Sequence, residues 1–269
     1  MFSVLLAVHK SDKIDYIKKA FASLFEQTLK PSEIIIVADG PIPTETNLLI
    51  EKLKDIFVVQ FIPLQKSLGL GGALHIGLTA SRYSLVARFD PDDICELDRF
   101  EKQVNYLNLH PNIDICGSYA TAINESDAVI GKLKVPVEHI RIRQLIWSCP
   151  IIHPSVMFRK EKILEIGNYK RLSVKSFHED YELWIRSIQK GLKIYNIPDP
   201  LIKYRITETN KKKRKKISNG LRKIYYGFFA WYKYDGHLLS LMALIYPVIR
   251  PLLPKFINEF IYRFDPRQT

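Results

Sequence analysis

Apolar positions in the first third of the chain alternate between two periods. Residues 3–8, 34–38, 57–62 and 85–89 are near-continuous apolar runs bounded by polar residues, which predicts buried strands. Between them Ile14, Ile17, Phe21 and Leu24 recur at helical spacing, with Ser11 or Asp12 placed to cap that helix. Leu48, Leu49 and Leu53 mark a shorter helix, and residues 70–81 form another, entered through Gly69, Gly71 and Gly72. Strands and helices in this alternation predict an α/β fold: a mostly parallel, doubly wound central sheet flanked by helices.

Past residue 90 the pattern continues less regularly. Leu97, Phe100, Val104 and Leu107 predict a helix with its apolar face inward, residues 113–116 a strand, and residues 118–136 an irregular or hairpin-like stretch. Residues 140–147 read as helical, 153–159 as strand-like, and 180–190 as a helix closed by Gly191.

The tail differs in kind. An unbroken basic run, residues 211–216, precedes Tyr225, Tyr226, Phe228, Phe229, Trp231, Tyr232 and Tyr234, and an apolar stretch follows at residues 238–249. That stretch is well short of the roughly 20 residues needed to span a bilayer, and Pro247, Pro251 and Pro254 interrupt any longer helix. Two outcomes fit: a monotopic segment lying in the headgroup region, or a helical lid packed on the body with a solvated basic loop. The membrane reading is the favoured one.

Composition narrows the class. A chain of 269 residues can bury a substantial core as one large or two modest domains. Cys95, Cys116 and Cys149 are odd in number and widely spaced, which excludes C-x-x-C zinc and redox motifs and fits a reducing compartment. Met1 runs straight into the first strand and then Lys10, Asp12 and Lys13, so no secretory signal is expected and the body should stay in the cytoplasm. The net charge of +12 calls for an acidic partner, whether nucleotide, nucleic acid or anionic membrane surface.

Ligands of open α/β sheets bind beyond the carboxyl ends of the strands. His9 and Lys10 follow the first strand, Asp39 and Gly40 the second, and Asp90-Pro91-Asp92-Asp93 the fourth. Alone, the acidic run suits a solvated turn as well as a cation site, although like charges so close favour a neutralising divalent ion. Hard oxygen ligands match Mg²⁺ or Mn²⁺, which in turn favour a diphosphate. Convergence of three strand ends on polar residues makes a nucleotide site the better reading.

Seven blocks in order then resemble the inverting, GT-A-fold glycosyltransferases of family 2, of the amylovoran and O-antigen biosynthesis type. They are Ser3-Val4-Leu5-Leu6-Ala7-Val8-His9, Ser23-Leu24-Phe25-Glu26-Gln27-Thr28, Glu33-Ile34-Ile35-Ile36-Val37-Ala38-Asp39-Gly40, Ala87-Arg88-Phe89-Asp90-Pro91-Asp92-Asp93, Arg99-Phe100-Glu101-Lys102-Gln103, His153-Pro154-Ser155-Val156-Met157-Phe158-Arg159 and Glu179-Asp180-Tyr181-Glu182-Leu183-Trp184. The resemblance implies a catalytic domain over residues 1–205, with a nucleotide-binding half at 1–95 and an acceptor-binding half at 96–205, and a membrane-associating tail at 206–269.

It also implies roles. Asp39 would accept a hydrogen bond from uracil, though Ala38 stands where the family usually has a second Asp, and His9 would stack on the base where the family usually has Tyr. Asp90 opens the metal motif, with Asp92 and Asp93 bridging ribose, a Mn²⁺ or Mg²⁺ ion and the diphosphate. Arg88 would either touch phosphate or brace the motif through a salt bridge. Asp180 matches the catalytic base, with helix capping as its structural alternative, and Glu179 would support it. His153 would contact the acceptor, supply a further metal ligand or be a satisfied buried histidine, and Lys203, Tyr204 and Arg205 would close over the diphosphate. The implied reaction transfers a hexose, glucose or galactose, from a UDP-sugar to an undecaprenyl-diphosphate-linked saccharide at the inner face of a bacterial membrane, with no nucleic-acid partner. A sugar nucleotidyltransferase and a non-enzymatic nucleic-acid-binding protein using the basic tail are the rival readings.

Overall fold

The computed structural model describes residues 1–170, 179–208, 217–249, 253, 254 and 257. The basic run at 211–216 lies outside the described residues.

Strands β1 (Ser3–Val8), β2 (Glu33–Ala38), β3 (Val59–Pro63) and β4 (Leu85–Arg88) form the parallel order β3-β2-β1-β4. The first two are buried along their whole length, as their unbroken apolar sequence requires of strands covered on both faces. Helices α1 (Ile14–Phe25), α2 (Thr44–Lys54) and α3 (Leu70–Ala80) connect them. Ile17, Ala20, Phe21 and Leu24 of α1 are buried, but its N-terminal cap is Lys13. Asp12, placed by sequence to cap α1, instead takes the backbone N–H of His9 at 2.7 Å.

The sheet then turns mixed. β5 is a two-residue strand, Ile94–Cys95; β6 (Ile115–Ile123) and β7 (Val129–Leu133) make a hairpin, and β8 (Met157–Arg159) runs antiparallel between β4 and β6. β9 (Ile194–Arg205) pairs in parallel with β6 and antiparallel with β5, giving the order β3-β2-β1-β4-β8-β6-β9-β5, with β7 on β6 as the ninth strand of the sheet. Helix α4 (Arg99–Leu109) buries Phe100, Val104 and Leu107, whereas Leu97 precedes it and is exposed. The helical reading of 140–147 resolves into α5 (His139–Gln144) and a 3-10 turn at Ile146–Ser148; His153–Ser155 is likewise a 3-10 turn before β8. Helix α6 (Lys160–Glu165) follows β8, and α7 (Glu179–Gln189) lies on the described chain just before β9. Cys95 and Cys116 are buried, and no described cysteine is in a disulfide.

Beyond β9, helices α8 (Ile217–Tyr234) and α9 (Leu238–Ile249) pack on each other and on the body, and α9 continues through Pro247. No described helix is long and apolar enough to cross a membrane.

Candidate active site

Register sets the floor of the site. Val8 lies opposite Ala38 and Leu5 opposite Arg88, so the residues leaving β1, β2 and β4 emerge side by side at the carboxyl end of the sheet.

At the β2 exit Asp39 is buried and organises the neighbouring loop. Its Oδ2 accepts from Ser67 Oγ at 2.8 Å and its Oδ1 from the Leu68 N–H at 2.6 Å. Each carboxylate oxygen keeps lone-pair capacity for a further donor. His9 at the β1 exit is half-buried, its Nδ1 paired with Ser11 Oγ at 2.8 Å.

The β4 exit carries the acidic cluster. Ligand atoms of Asp90, Asp92 and Asp93 lie within 4.8 Å of one another. Asp93 is buried; its Oδ1 accepts from the Arg205 N–H at 2.8 Å, and its Oδ2 has no hydrogen-bond partner among the described residues. Burial, then Asp90 and Asp12, push Asp92 up to about 7; burial, then Asp92 and Asp90, hold Asp93 well above the carboxylate range. Two carboxylates, Asp92 and Asp93, raised by burial and then by their acidic neighbours, and a buried Asp93 oxygen with no hydrogen-bond partner among the described residues mark a site that favours added positive charge. The donor set therefore fits a hard divalent cation.

Arg88 is the positive centre of the pocket. It is fully buried, with its Nη1 ion-paired to Asp90, and burial opposes its charge while Asp90 and Asp93 reinforce it enough to raise its pKa. Nη1 meets Asp90 outside hydrogen-bond geometry, and Nε has no partner among the described residues. Its charge also acts on Glu179, Asp180, His153 and Tyr169. Arg99 steadies it from below by donating from Nη2 to the Arg88 carbonyl at 2.7 Å.

On the opposite wall Glu179 and Asp180 are the first two residues of α7. Burial, then Asp180, push Glu179 up to about 8, and burial raises Asp180 against the bond that its Oδ1 accepts from the Tyr181 N–H at 2.7 Å. The helix-terminal bond is real, and so is the burial that a cap alone would not need. Gly71, in the first turn of α3, permits this approach: a Cβ there would meet the Lys170 carbonyl oxygen at 2.7 Å and Glu179 Cβ at 3.1 Å.

Two expected residues lie elsewhere. His153 is buried with Nε2 paired to Tyr169 Oη at 2.9 Å and its ring edge-on to Trp184, and burial, then Arg88, hold it well below the histidine range. It is a satisfied core histidine, and the acidic cluster is the metal-type grouping among the described residues. Arg205 does not close over the pocket. Its guanidinium is buried beneath the acidic loop, where Nε donates to the Asp92 carbonyl at 2.7 Å and Nη1 to the Asn124 carbonyl at 2.9 Å. It ion-pairs with Asp127 and stacks 4.2 Å over Tyr16. Asp127 and Tyr16 were not among the expected residues; only the turn composition of Asn124-Glu125-Ser126-Asp127 hints at a fixed hairpin tip.

Residues 3–167, which supply every strand of the sheet but β9, the β1, β2 and β4 exits and the acidic loop, match the profile of Glycosyl transferase family 2. The chain belongs to that family. As a family 2 glycosyltransferase it is 31% identical over 267 residues to the amylovoran biosynthesis glycosyltransferase AmsE of Erwinia amylovora, covering 98% of this chain and 99% of the relative. It is 30% identical over 268 residues to the UDP-Gal:alpha-D-GlcNAc-diphosphoundecaprenol beta-1,3-galactosyltransferase of Escherichia coli, with 97% and 95% covered. Among solved structures the fold superposes on S. aureus TarS 1–349 in complex with UDP-GlcNAc, with a TM-score of 0.67 and 15% identity over 98% of this chain and 79% of that one. The GT-A fold is thus established, and family membership sets aside the nucleotidyltransferase and non-enzymatic readings.

Proposed function

We propose that this glycosyltransferase moves glucose or galactose, with inversion, from a UDP-sugar to an undecaprenyl-diphosphate-linked saccharide in O-antigen, capsule or exopolysaccharide assembly. One observation carries the reading: two largely buried acidic groups, Asp90-Asp92-Asp93 and Glu179-Asp180, share the field of a single buried arginine, Arg88. That arrangement matches a reaction that needs a cation and diphosphate on one side and a proton acceptor on the other. The activities of the two relatives and the UDP-sugar held by TarS agree with it.

In this reading Asp39 accepts from the uracil N–H and His9 stacks on the ring. Asp92 and Asp93, with Asp90, would hold Mn²⁺ or Mg²⁺, which when bound would offset the charge of the departing diphosphate. Asp180 takes the proton of the acceptor hydroxyl as that oxygen attacks the anomeric carbon from the face opposite UDP, and the C–O bond to UDP breaks with its electron pair leaving on the diphosphate. A base with a raised pKa is well matched to a hydroxyl proton at neutral pH. Glu179 and Arg88 set the charge around it. Attachment to the inner face of the cell membrane belongs to the same proposal.

The test is a panel of UDP-sugars with a synthetic polyprenyl-diphosphate-linked saccharide, read by product anomeric configuration. Inverted product from a UDP-hexose is the expected outcome; transfer from GDP- or dTDP-sugars alone would overturn the donor assignment.

A further inference from the structure

The α8–α9 hairpin has two unlike faces. Its inner face is clasped to the catalytic wall: a Cβ on Gly227 would meet Tyr181 Oη at 2.3 Å and the Trp147 carbonyl oxygen at 3.0 Å, and Trp147 Nε1 donates to Asp235 Oδ2 at 2.7 Å. Ala230 and Leu244 are buried in the same seam. The outer face is apolar and bare. Tyr225, Tyr232, Leu238 and Leu239 are 71–79% exposed, with Phe229 and Met242 beside them. Contiguous apolar surface of this kind marks an interaction site.

Charge identifies the occupant. Asp235 is the sole acidic residue in 217–249, and its carboxylate is turned inward onto Trp147. At the edge of the hairpin lies a groove of about 380 Å³ whose lining includes Arg143, Lys193, Lys233 and Tyr234, with no carboxylate. Arg143 and Lys233 both stand over the Tyr234 ring, 5.0 and 5.3 Å from its centroid. An aromatic-rich apolar face rimmed by cations, the Asp114 carboxylate beside them being held on the Lys193 backbone N–H at 2.8 Å, suits the plane of an anionic bilayer. A second copy suits it poorly, because a two-fold contact would bring the two cationic rims together.

We infer that the outer face of α8–α9, with the Arg143–Lys193–Lys233 groove at its rim, is the surface by which the enzyme lies on an anionic bilayer. The inference extends the lipid-linked acceptor reading and names a surface distinct from the basic run at 211–216. Because Gly227 touches Tyr181, the neighbour of Asp180, the docked hairpin holds the reacting wall about one helix layer, roughly 10 Å, from the lipid-facing helix. Headgroup-proximal sugars are then the ones within reach.

Vesicle sedimentation and bromolipid quenching of the full chain test this without donor or acceptor, so their outcome is independent of the proposed reaction. Trp147 and Trp184 are buried, leaving Trp231 of α8 as the reporter. Wild type should bind phosphatidylcholine vesicles only when phosphatidylglycerol is added, with Trp231 quenched by shallowly brominated lipid. The Arg143→Gln, Lys193→Gln, Lys233→Gln triple should lose about a hundredfold in partitioning, near fivefold per charge. Phe229→Ser with Met242→Ser should lose the quenching; if that pair fails to fold, Leu239→Ser must still reduce it. Partitioning equal to wild type in the triple would overturn the inference, as would a wild-type dimer made monomeric by F229S/M242S with vesicle binding unchanged.

Discussion

The backbone N–H of Arg205 donates to Asp93 Oδ1 at 2.8 Å, across 112 residues of sequence. With its side chain on the Asp92 carbonyl and against Asp127, Arg205 fixes both aspartates that we assign to the metal. Arg205→Met keeps the volume but strands these partners, so unfolding free energy should fall by about 3 kcal/mol or more. Mn²⁺ affinity, read by EPR titration, should weaken on the order of tenfold, as loss of a ligand-orienting contact does. Arg205→Lys should not restore it, because one ammonium cannot span the fork.

Chelation should abolish transfer and Mn²⁺ or Mg²⁺ restore it. Full turnover in excess chelator would remove the metal role of Asp92 and Asp93 and leave their raised proton affinity to another explanation.

Asp180→Asn is nearly isosteric and should keep UDP affinity by calorimetry while turnover drops by roughly 10² or more. Retained turnover would place the base elsewhere in the pocket.

Asp39→Ala removes the acceptor of both Ser67 Oγ and the Leu68 N–H as well as the proposed uracil partner. UDP binding should weaken by about 1–3 kcal/mol. Ser67→Ala, which leaves the Leu68 bond, should cost less, and equal losses would mean that the loop alone carries the effect.

Glu179 gives a stability signature. Burial and Asp180 raise its folded pKa to about 8, above an ordinary Glu value of about 4.3, so the native state binds the proton more tightly than the unfolded chain. Its contribution is fullest below the unfolded value and is lost as pH rises towards about 8. Thermal unfolding from pH 5 to 8 should therefore fall more steeply in wild type than in Glu179→Gln, and parallel profiles would contradict the assigned burial.

What could be read from sequence was what neighbouring residues decide. Strands β1, β2 and β4 are continuous apolar runs, so their ends, and with them His9, Asp39 and the Asp90 cluster, were placed correctly. β9 was not foreseen, because Pro198 and Pro200 and two register shifts against β6 break the period that marks a strand. Leu97 and Leu48 fit a helical stripe yet are exposed, since periodicity says nothing of which face finds a partner. The burial of Arg205 under the acidic loop and the pairing of His153 with Tyr169 are tertiary choices that no local pattern encodes.

The placement of β9 also bears on how the chain is made. β5, the strand that follows the acidic loop directly, has its ladder partner at Ile202 and Lys203, and the core beneath it includes Ile197 and Leu201. A ribosome that has released only the first hundred residues has exposed the β3-β2-β1-β4 half of the sheet with its aspartates present but their brace still unsynthesised. The proposed cation pocket would then be a late product of translation, completed when residue 205 clears the exit tunnel, and a nascent or truncated chain ending before that point would carry the motif without the grip.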